Sequence, residues 1–358
     1  MARVLAAMSG GVDSSVAAAL CVGAGYETLG VTLKLLSGAA TGSGCCGSAE
    51  DFSDAKRVCE KLGIPHYVSD FGEVFERAVV SPFVEDYLNR RTPNPCVECN
   101  RSVKFGSLLR LASAWGCDYV ATGHYARIFK NPETGRFELR VAADPEKDQT
   151  YFLHSLTQGE LGRILFPLEN LTKTRVRLFA GMLGLRTAEK PESQEVCFVP
   201  GGDYRDFVRL RAGGKGRAFE SGPIRDKNGR RLGTHSGFVN FTIGQRRGLG
   251  AAVGKPRYVT GMDPESNTLL VGAADDASTK RFLLERVSWT GAGSAPEKSV
   301  GVRIRHRAEI VAARLDPKPG GTVDVHLDEP QKAVAPGQTA VFYDGERVLG
   351  GGTIREVL

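Results

Sequence analysis

Ser9-Gly10-Gly11-Val12-Asp13-Ser14-Ser15 decides the fold. The short apolar run Val4-Leu5-Ala6-Ala7-Met8 precedes it, and Val16-Ala17-Ala18-Ala19-Leu20 follows. The order reads as strand, tight glycine turn, helix. Paired glycines let a backbone approach a phosphate with no Cβ in the way. The free N–H groups and positive dipole end of the next helix then attract the anion. The serines add hydroxyl donors at the same place.

The loop carries no Lys-Ser/Thr pair after its glycines, so it does not match G-x-x-x-x-G-K-[ST]. It has Asp13 instead, a hard oxygen donor suited to Mg²⁺ beside phosphate. The bland alternative is an ordinary glycine turn of an α/β protein. All seven residues at a strand–helix junction resemble the PP-loop of the ATP pyrophosphatase superfamily. That resemblance implies cleavage of ATP between the α and β phosphates and adenylation of a substrate oxygen.

Outward from the loop, strand-like and helix-like patterns alternate over roughly the first 130 residues. Strands are expected at Val4–Met8, Thr28–Leu33, His66–Ser69 and Tyr119–Thr122. Helices are expected at Asp13–Val22, Ala49–Leu62, Val74–Asn89 and Val103–Trp115. Such alternation predicts a doubly wound parallel sheet, of the kind found in adenine-nucleotide α-hydrolase-like proteins. Ligands of these sheets bind beyond the carboxyl ends of the strands, which puts Leu33 and Thr122-Gly123-His124 near the nucleotide. The glycine-rich stretch Ser37–Ser48 is a loop at the same side. His124 is either a proton carrier or a hydrogen-bonded structural residue.

Residues 150–211 read as mostly helical, most clearly at Lys173–Leu183. Beyond Gly213 short β-rich runs dominate: Gly237–Ile243, Tyr258–Met262, Thr268–Val271, Val300–Ile304, Thr322–Leu327, Ala340–Tyr343 and Arg347–Leu349. Regularly spaced short strands with turn signals predict small β-barrels. The expected domains are 1–145 (nucleotide-binding), 146–212 (helical extension), 213–290 (central, β-rich) and 291–358 (C-terminal barrel).

The 358 residues, 41% hydrophobic and 25% charged, describe a globular protein. No run of about 18 apolar residues appears, so no membrane span is expected. The N-terminus enters a strand too soon for a signal peptide, and the expected location is the cytoplasm. Net charge is +6, and Arg205–Arg257 holds 13 Lys or Arg against three acids. A stretch that basic suits a polyanionic partner, although it also suits a solvated surface. Arg246 and Arg247, in a glycine-rich turn, are candidates for backbone-phosphate contacts.

Eight cysteines (Cys21, Cys45, Cys46, Cys59, Cys96, Cys99, Cys117, Cys197) all precede residue 198. In a reducing compartment they do not read as a disulfide framework. Cys21, Cys59 and Cys117 sit in apolar contexts and read as small hydrophobes. Thr92-Pro93-Asn94-Pro95-Cys96-Val97-Glu98-Cys99-Asn100 is different. Its prolines hold the chain extended and present both thiols from a stiff loop before a helix expected at Val103. A cysteine near a helix start has a lowered pKa and a reactive thiolate. The C-x-x-C pair reads as half a zinc site, a redox dithiol or two ligands of an iron–sulfur cluster. Cys197, in Lys190-Pro191-Glu192-Ser193-Gln194-Glu195-Val196-Cys197-Phe198, is the natural third member, or a buried structural thiol.

Taken in order, these motifs are joined by Ala121–Tyr125, Lys147-Asp148-Gln149, Thr242–Gly250, Val334–Tyr343 and Gly350-Gly351-Gly352. Together they resemble the bacterial tRNA-specific 2-thiouridylases over nearly the whole chain. The resemblance implies replacement of the C2 oxygen of uridine 34 by sulfur in tRNAs for glutamate, glutamine and lysine. Oxide is a poor leaving group, and adenylation converts it to AMP, which is a good one. By the same resemblance Ala7, Met8, Ser9, Gly10, Gly11, Val12, Asp13, Ser14, Leu33 and Gly123 bind ATP. Cys197 carries the persulfide sulfur. Cys99 releases sulfide from it, or attacks it to leave a Cys99–Cys197 disulfide. Asn94, Pro95 and Cys96 line the target base, while Lys147, Asp148, Gln149, Arg305 and His306 contact tRNA. A sulfur-donor or relay protein is the implied second partner.

Many members of that family carry aspartate where this chain has Cys96. An aspartate can serve as a general acid or base there, which Cys96 does only weakly. Cys96, Cys99 and Cys197 are then candidate ligands of a [4Fe–4S] cluster with one open iron. Two rivals remain at this point: another adenylating PP-loop synthetase, which needs no paired cysteines, and an RNA-binding protein with a vestigial nucleotide loop.

Overall fold

The computed structural model describes residues 1–36, 48–191, 196–249, 256–290 and 299–358. Residues 37–47 of the expected glycine-rich loop, with Cys45 and Cys46, lie outside the described residues, as do 192–195 and Gly250.

Four strands, β1 (Arg3–Ala7), β2 (Glu27–Lys34), β3 (His66–Asp70) and β4 (Tyr119–Ala121), join Ile164–Leu165 in a parallel sheet ordered β3-β2-β1-β4-(164–165). Side chains of β1 alternate between faces. Leu5 enters one apolar cluster with Val31 and Leu33; Ala6 and Met8 enter another with Val16, Ala17 and Val58. Apolar cover on both faces is what the continuous hydrophobic run of a central parallel strand requires. The doubly wound α/β reading is therefore the observed fold. Strand order reverses between β1 and β4, which opens a crevice at the carboxyl ends of both.

Helix α1 (Val12–Gly23) follows the loop directly. Helix α2 (Ala49–Leu62) is started by a reciprocal Ser48/Asp51 capping box and stopped by Gly63 in the left-handed conformation. Gly10 has φ +74°, and a Cβ there would strike the Asp51 backbone, so α2 closes over the loop only with glycine at this position. The helix expected over Val103–Trp115 begins earlier, at Pro95. Proline fits the first helical position because its fixed φ suits the turn and its missing N–H has no partner there anyway. The winding then widens to a π-helix over Cys99–Ser107 before ending as an α-helix at Leu108–Ala114. Gly106 leaves room for this, since a Cβ would lie 2.8 Å from Arg101 O.

The β-rich half has two units. Strands Gly222–Asp226, Arg231–His235, Tyr258–Asp263 and Thr268–Gly272 form a four-stranded sheet. The strand expected at Gly237–Ile243 is instead a short 3-10 turn, Phe238–Asn240, whose aromatic ring packs in the core of this unit. Strands Ser278–Trp289, Val300–Arg303, Val311–Pro317, Val323–Lys332, Thr339–Asp344 and Arg347–Val357 form the second unit, closed into a six-stranded barrel by pairing of the first with the last. Closure removes the unpaired edges. The hairpin Arg127–Lys130/Phe137–Arg140, early in the chain, extends this sheet through Arg140 and Arg347.

Candidate functional site

The crevice at the switch point is a cavity of about 310 Å³. Ala7, Met8, Ser9, Gly11, Val12, Asp13 and Ser14 form one wall; Leu33, from β2, and Gly123, after β4, complete it. Lys147 and Gln149 also line it. Gly10 does not line it, and its place is the backbone approach to α2 described above. A Cβ on Gly123 would sit 2.7 Å from Asp13 C and Ser14 N. Glycine at that position therefore lets the β4 loop close against the start of α1. Within the loop, Ser14 Oγ accepts from Ser9 N (3.2 Å) and donates to Gly11 O (3.0 Å).

Several cavity residues carried no sequence signal strong enough to single them out. Lys173 Nζ bonds both carboxylate oxygens of Asp13, at 2.7 and 2.9 Å, and Tyr125 Oη donates to Asp13 Oδ1 at 2.7 Å. Lys190 Nζ bonds Asp51 (2.8 Å) and Asp54 (2.7 Å) just before the segment that reaches Cys197. Lys104 lines the same cavity. The one available signal was Lys173 itself, a cation at a helix N-terminus where the dipole favours an acid. His124 is buried, its Nδ1 2.8 Å from Thr122 Oγ1, and its ring packs against those of Phe105 and Phe166.

The thiols lie along the next helix. Cys96 is exposed in its first turn, and Cys99 is buried at the start of the π-helical stretch. Lys104, five positions on, reaches the cavity, so about one wide turn separates Cys99 from the nucleotide wall. Cys197 is half-buried against the apolar cluster that contains Cys99. Its neighbour Phe198 anchors it by edge-on contacts with Phe75, Phe83 and Phe207, ring centroids 5.1–5.5 Å apart. Cys21 and Cys59 are buried, with thiols pushed up to about 12 by burial, as small packing residues should be. Burial raises the Cys117 thiol as well.

The barrel braces the segment before Cys96. Thr92 N donates to Pro336 O (2.7 Å), Gln338 Nε2 donates to Thr92 O (2.9 Å), and Tyr151 Oη donates to Thr339 O (2.8 Å). Asn94 and Pro95 line a small crevice beside Gly337 and Thr339. Arg305 is exposed. His306 is half-buried, its ring 4.5 Å from that of Phe152. Asp148 departs from the expectation of a tRNA contact. It is 3% exposed, accepts from Thr150 Oγ1 (2.7 Å) and pairs with Arg303 (3.4 Å) across the barrel seam. A buried carboxylate must be paired, and its hydrogen bonds are already taken within the protein.

A lysine-free glycine loop at the switch point of a parallel sheet, followed by β-barrels, defines a PP-loop protein of the nucleotide-binding α/β class, a class that uses ATP. Residues 2–201 match the family described as "tRNA methyl transferase HUP domain", 215–273 its "PRC-barrel domain" and 279–354 the "Aminomethyltransferase beta-barrel domain". The chain is 48% identical over 358 residues to the tRNA-specific 2-thiouridylase MnmA of Moorella thermoacetica, covering 99% of each chain. It is 48% identical to that of Chloroflexus aggregans (99% and 98% covered) and 46% identical to that of Carboxydothermus hydrogenoformans (99% and 98%). This chain belongs to the tRNA-specific 2-thiouridylase family.

Proposed function

We propose that the protein thiolates C2 of uridine 34 in tRNA, using ATP. The observation that carries this reading is the spacing of the two halves: Cys99 starts the π-helical stretch whose next turn reaches the phosphate cavity. The uridine O2 attacks the α-phosphorus of ATP, and pyrophosphate leaves with the electron pair of the broken α–β bond. A persulfide on Cys197 then supplies sulfur to C2 and AMP departs. Cys99 thiolate attacks Cys197 Sγ to free the transferred sulfur, which leaves a Cys99–Cys197 disulfide for a thiol reductant to reset. Asn94 and Pro95 face the target base. Lys147, Gln149, Arg305 and His306 meet the tRNA, with phosphate contacts that make binding salt-dependent. The tRNAs proposed are those for glutamate, glutamine and lysine. A sulfur-donor or relay protein loads Cys197, and the reaction belongs in the cytoplasm, where tRNA is. Among the described residues no helix is long and apolar enough to cross a membrane.

Mg²⁺ fits Asp13: its carboxylate has about four lone-pair sites, and the Lys173 and Tyr125 bonds leave capacity for a cation. When bound with ATP, the ion would draw charge from the phosphates. The [4Fe–4S] alternative fits less well. Exposed Cys96 stands outside the apolar cluster shared by Cys99 and Cys197. A two-thiol reaction needs only the pair. Anaerobic purification with iron and acid-labile sulfide assays separates the two routes; iron-dependent activity would overturn the persulfide reading. The reaction itself is tested by mass spectrometry of the wobble nucleoside in cells lacking the gene. Loss of the 2-thio group is expected, and an unchanged nucleoside refutes the proposal.

A further inference from the structure

The proposed reaction uses Cys99 and Cys197 and leaves Cys96 without a task. It also creates a difficulty. Each turnover leaves a Cys99–Cys197 disulfide, and both of its sulfurs sit among apolar side chains. Cys99 is 7% exposed, and Cys197 is half-buried against the same cluster. A reductant must bring its thiolate up to one of the two sulfurs, so exchange is slow where neither is accessible. Cys96 is the exposed member of the three.

The backbone sets its distance from Cys99. Pro95 and Cys96 open the short α-helix Pro95–Glu98, and Cys99 continues it with φ −59° and ψ −45°. The π-helical widening begins only at Cys99. Cys96 and Cys99 therefore lie three positions apart on one ordinary helical turn, with Cα atoms about 5 Å apart. Disulfides bridge Cα separations of roughly 4.4–6.8 Å. The fixed φ of Pro95 holds that turn in place.

We propose that Cys96 is the resolving thiol of this site, a catalytic residue that carries the disulfide from the apolar cluster to the surface. Cys96 thiolate attacks Cys99 Sγ. The Cys96–Cys99 bond forms, the Cys99–Cys197 bond breaks, and Cys197 leaves with the electron pair as a thiolate, open to a new sulfur. The protein neither gains nor loses electrons in that exchange. A protein dithiol then attacks exposed Cys96 Sγ, and Cys99 leaves as a thiolate. The second thiol of the reductant displaces Cys96. The dithiol is oxidised to its own disulfide, and its two protons pass to Cys96 and Cys99. This inference rests on the persulfide reading above.

The test loads wild type and Cys96→Ser with one sulfur from inorganic polysulfide and removes the excess. Each then makes a single turnover on unmodified tRNA with ATP and is quenched in maleimide. Wild type is expected to carry an internal disulfide in the tryptic peptide Thr92–Arg101 and an alkylated Cys197. Cys96→Ser is expected to keep Cys99 linked to Cys197, and a protein dithiol reduces that link roughly tenfold or more slowly than it reduces wild type. A wild type that holds only the Cys99–Cys197 link, and is reduced no faster than Cys96→Ser, overturns the proposal. Loss of the first turnover together with bound iron in Cys96→Ser also overturns it, because Cys96 is then a cluster ligand. The wild-type peptide result does not depend on the folding of any variant. A wild type that completes its turnover with no disulfide among the three cysteines refutes the persulfide reading instead, so the two failures are distinct.

Discussion

The wall of the nucleotide cavity gathers the charged residues Asp13, Asp51, Lys173 and Lys190 in the α/β layer, whereas Cys99 and Cys197 belong to an apolar cluster that other parts of the chain hold in place. The cavity takes its shape from backbone: Gly10 and Gly123 admit α2 and the β4 loop to distances no side chain allows. The cysteine site takes its shape from side-chain packing, through Phe198 on Phe75, Phe83 and Phe207. Its entry segment is also tied to the barrel at Thr92. An anion needs fixed N–H donors in open reach of solvent. A reactive sulfur needs shelter from competing thiols and oxidants, which apolar cover provides. The two halves should therefore fail independently.

The largest expected effect separates them by chemistry. Cys99→Ser and Cys197→Ser each lower tRNA thiolation by roughly 10³-fold or more, as removal of a covalent participant does. ATP affinity, measured by calorimetry, stays within about threefold of wild type. Parallel loss of ATP binding would mean that the two sites are one cooperative unit.

Gly123→Ala inverts the pattern. Its methyl group lands on the Asp13 and Ser14 backbone, and overpacking of this kind costs about 1–3 kcal/mol. ATP binding is expected to fall on the order of ten- to a hundredfold, while the rate of Cys197 alkylation by a maleimide is unchanged.

Acidification probes the barrel seam. His154 is fully buried, donates from Nδ1 to Tyr151 O (3.0 Å) and carries Gly351 against its ring. Burial lowers its pKa to about 4, so the native state keeps it neutral. The unfolded chain, with a histidine near 6.5, binds a proton that the native chain refuses. Stability is thus fully present above pH 6.5 and is lost as pH falls toward 4. Between pH 7 and pH 5 the wild type should lose about 2 kcal/mol more than His154→Gln in urea unfolding. If the comparison holds, Cys99 becomes labelled by maleimide at pH 5 before ATP binding weakens. Simultaneous loss would place the seam under both sites.

Much of the site was legible because its signals are local. Ser9–Ser15, Leu33 and Gly123 are fixed by strand ends and glycine turns, and all but Gly10 and Ser15 of these line one cavity. The helix at Cys96 was misjudged by eight positions because proline, read as a helix breaker before Val103, is a starter at the first position. Asp148 was expected to contact tRNA, yet its buried carboxylate pairs with Arg303, 155 residues away. The hairpin at Arg127–Arg140 was unreadable for the same reason: its sheet neighbour is Arg347.

The sequence by itself determined the doubly wound sheet and the position of the phosphate loop, since each depends on periodicity or turn chemistry within a few residues. Tertiary structure alone decided that Lys173 meets Asp13 of the loop and that the barrel, through Thr92 and Pro336, braces the cysteine helix. Those are pairings between segments 160 and 244 residues apart, and no local propensity encodes which distant charge or carbonyl the folded chain will bring into reach.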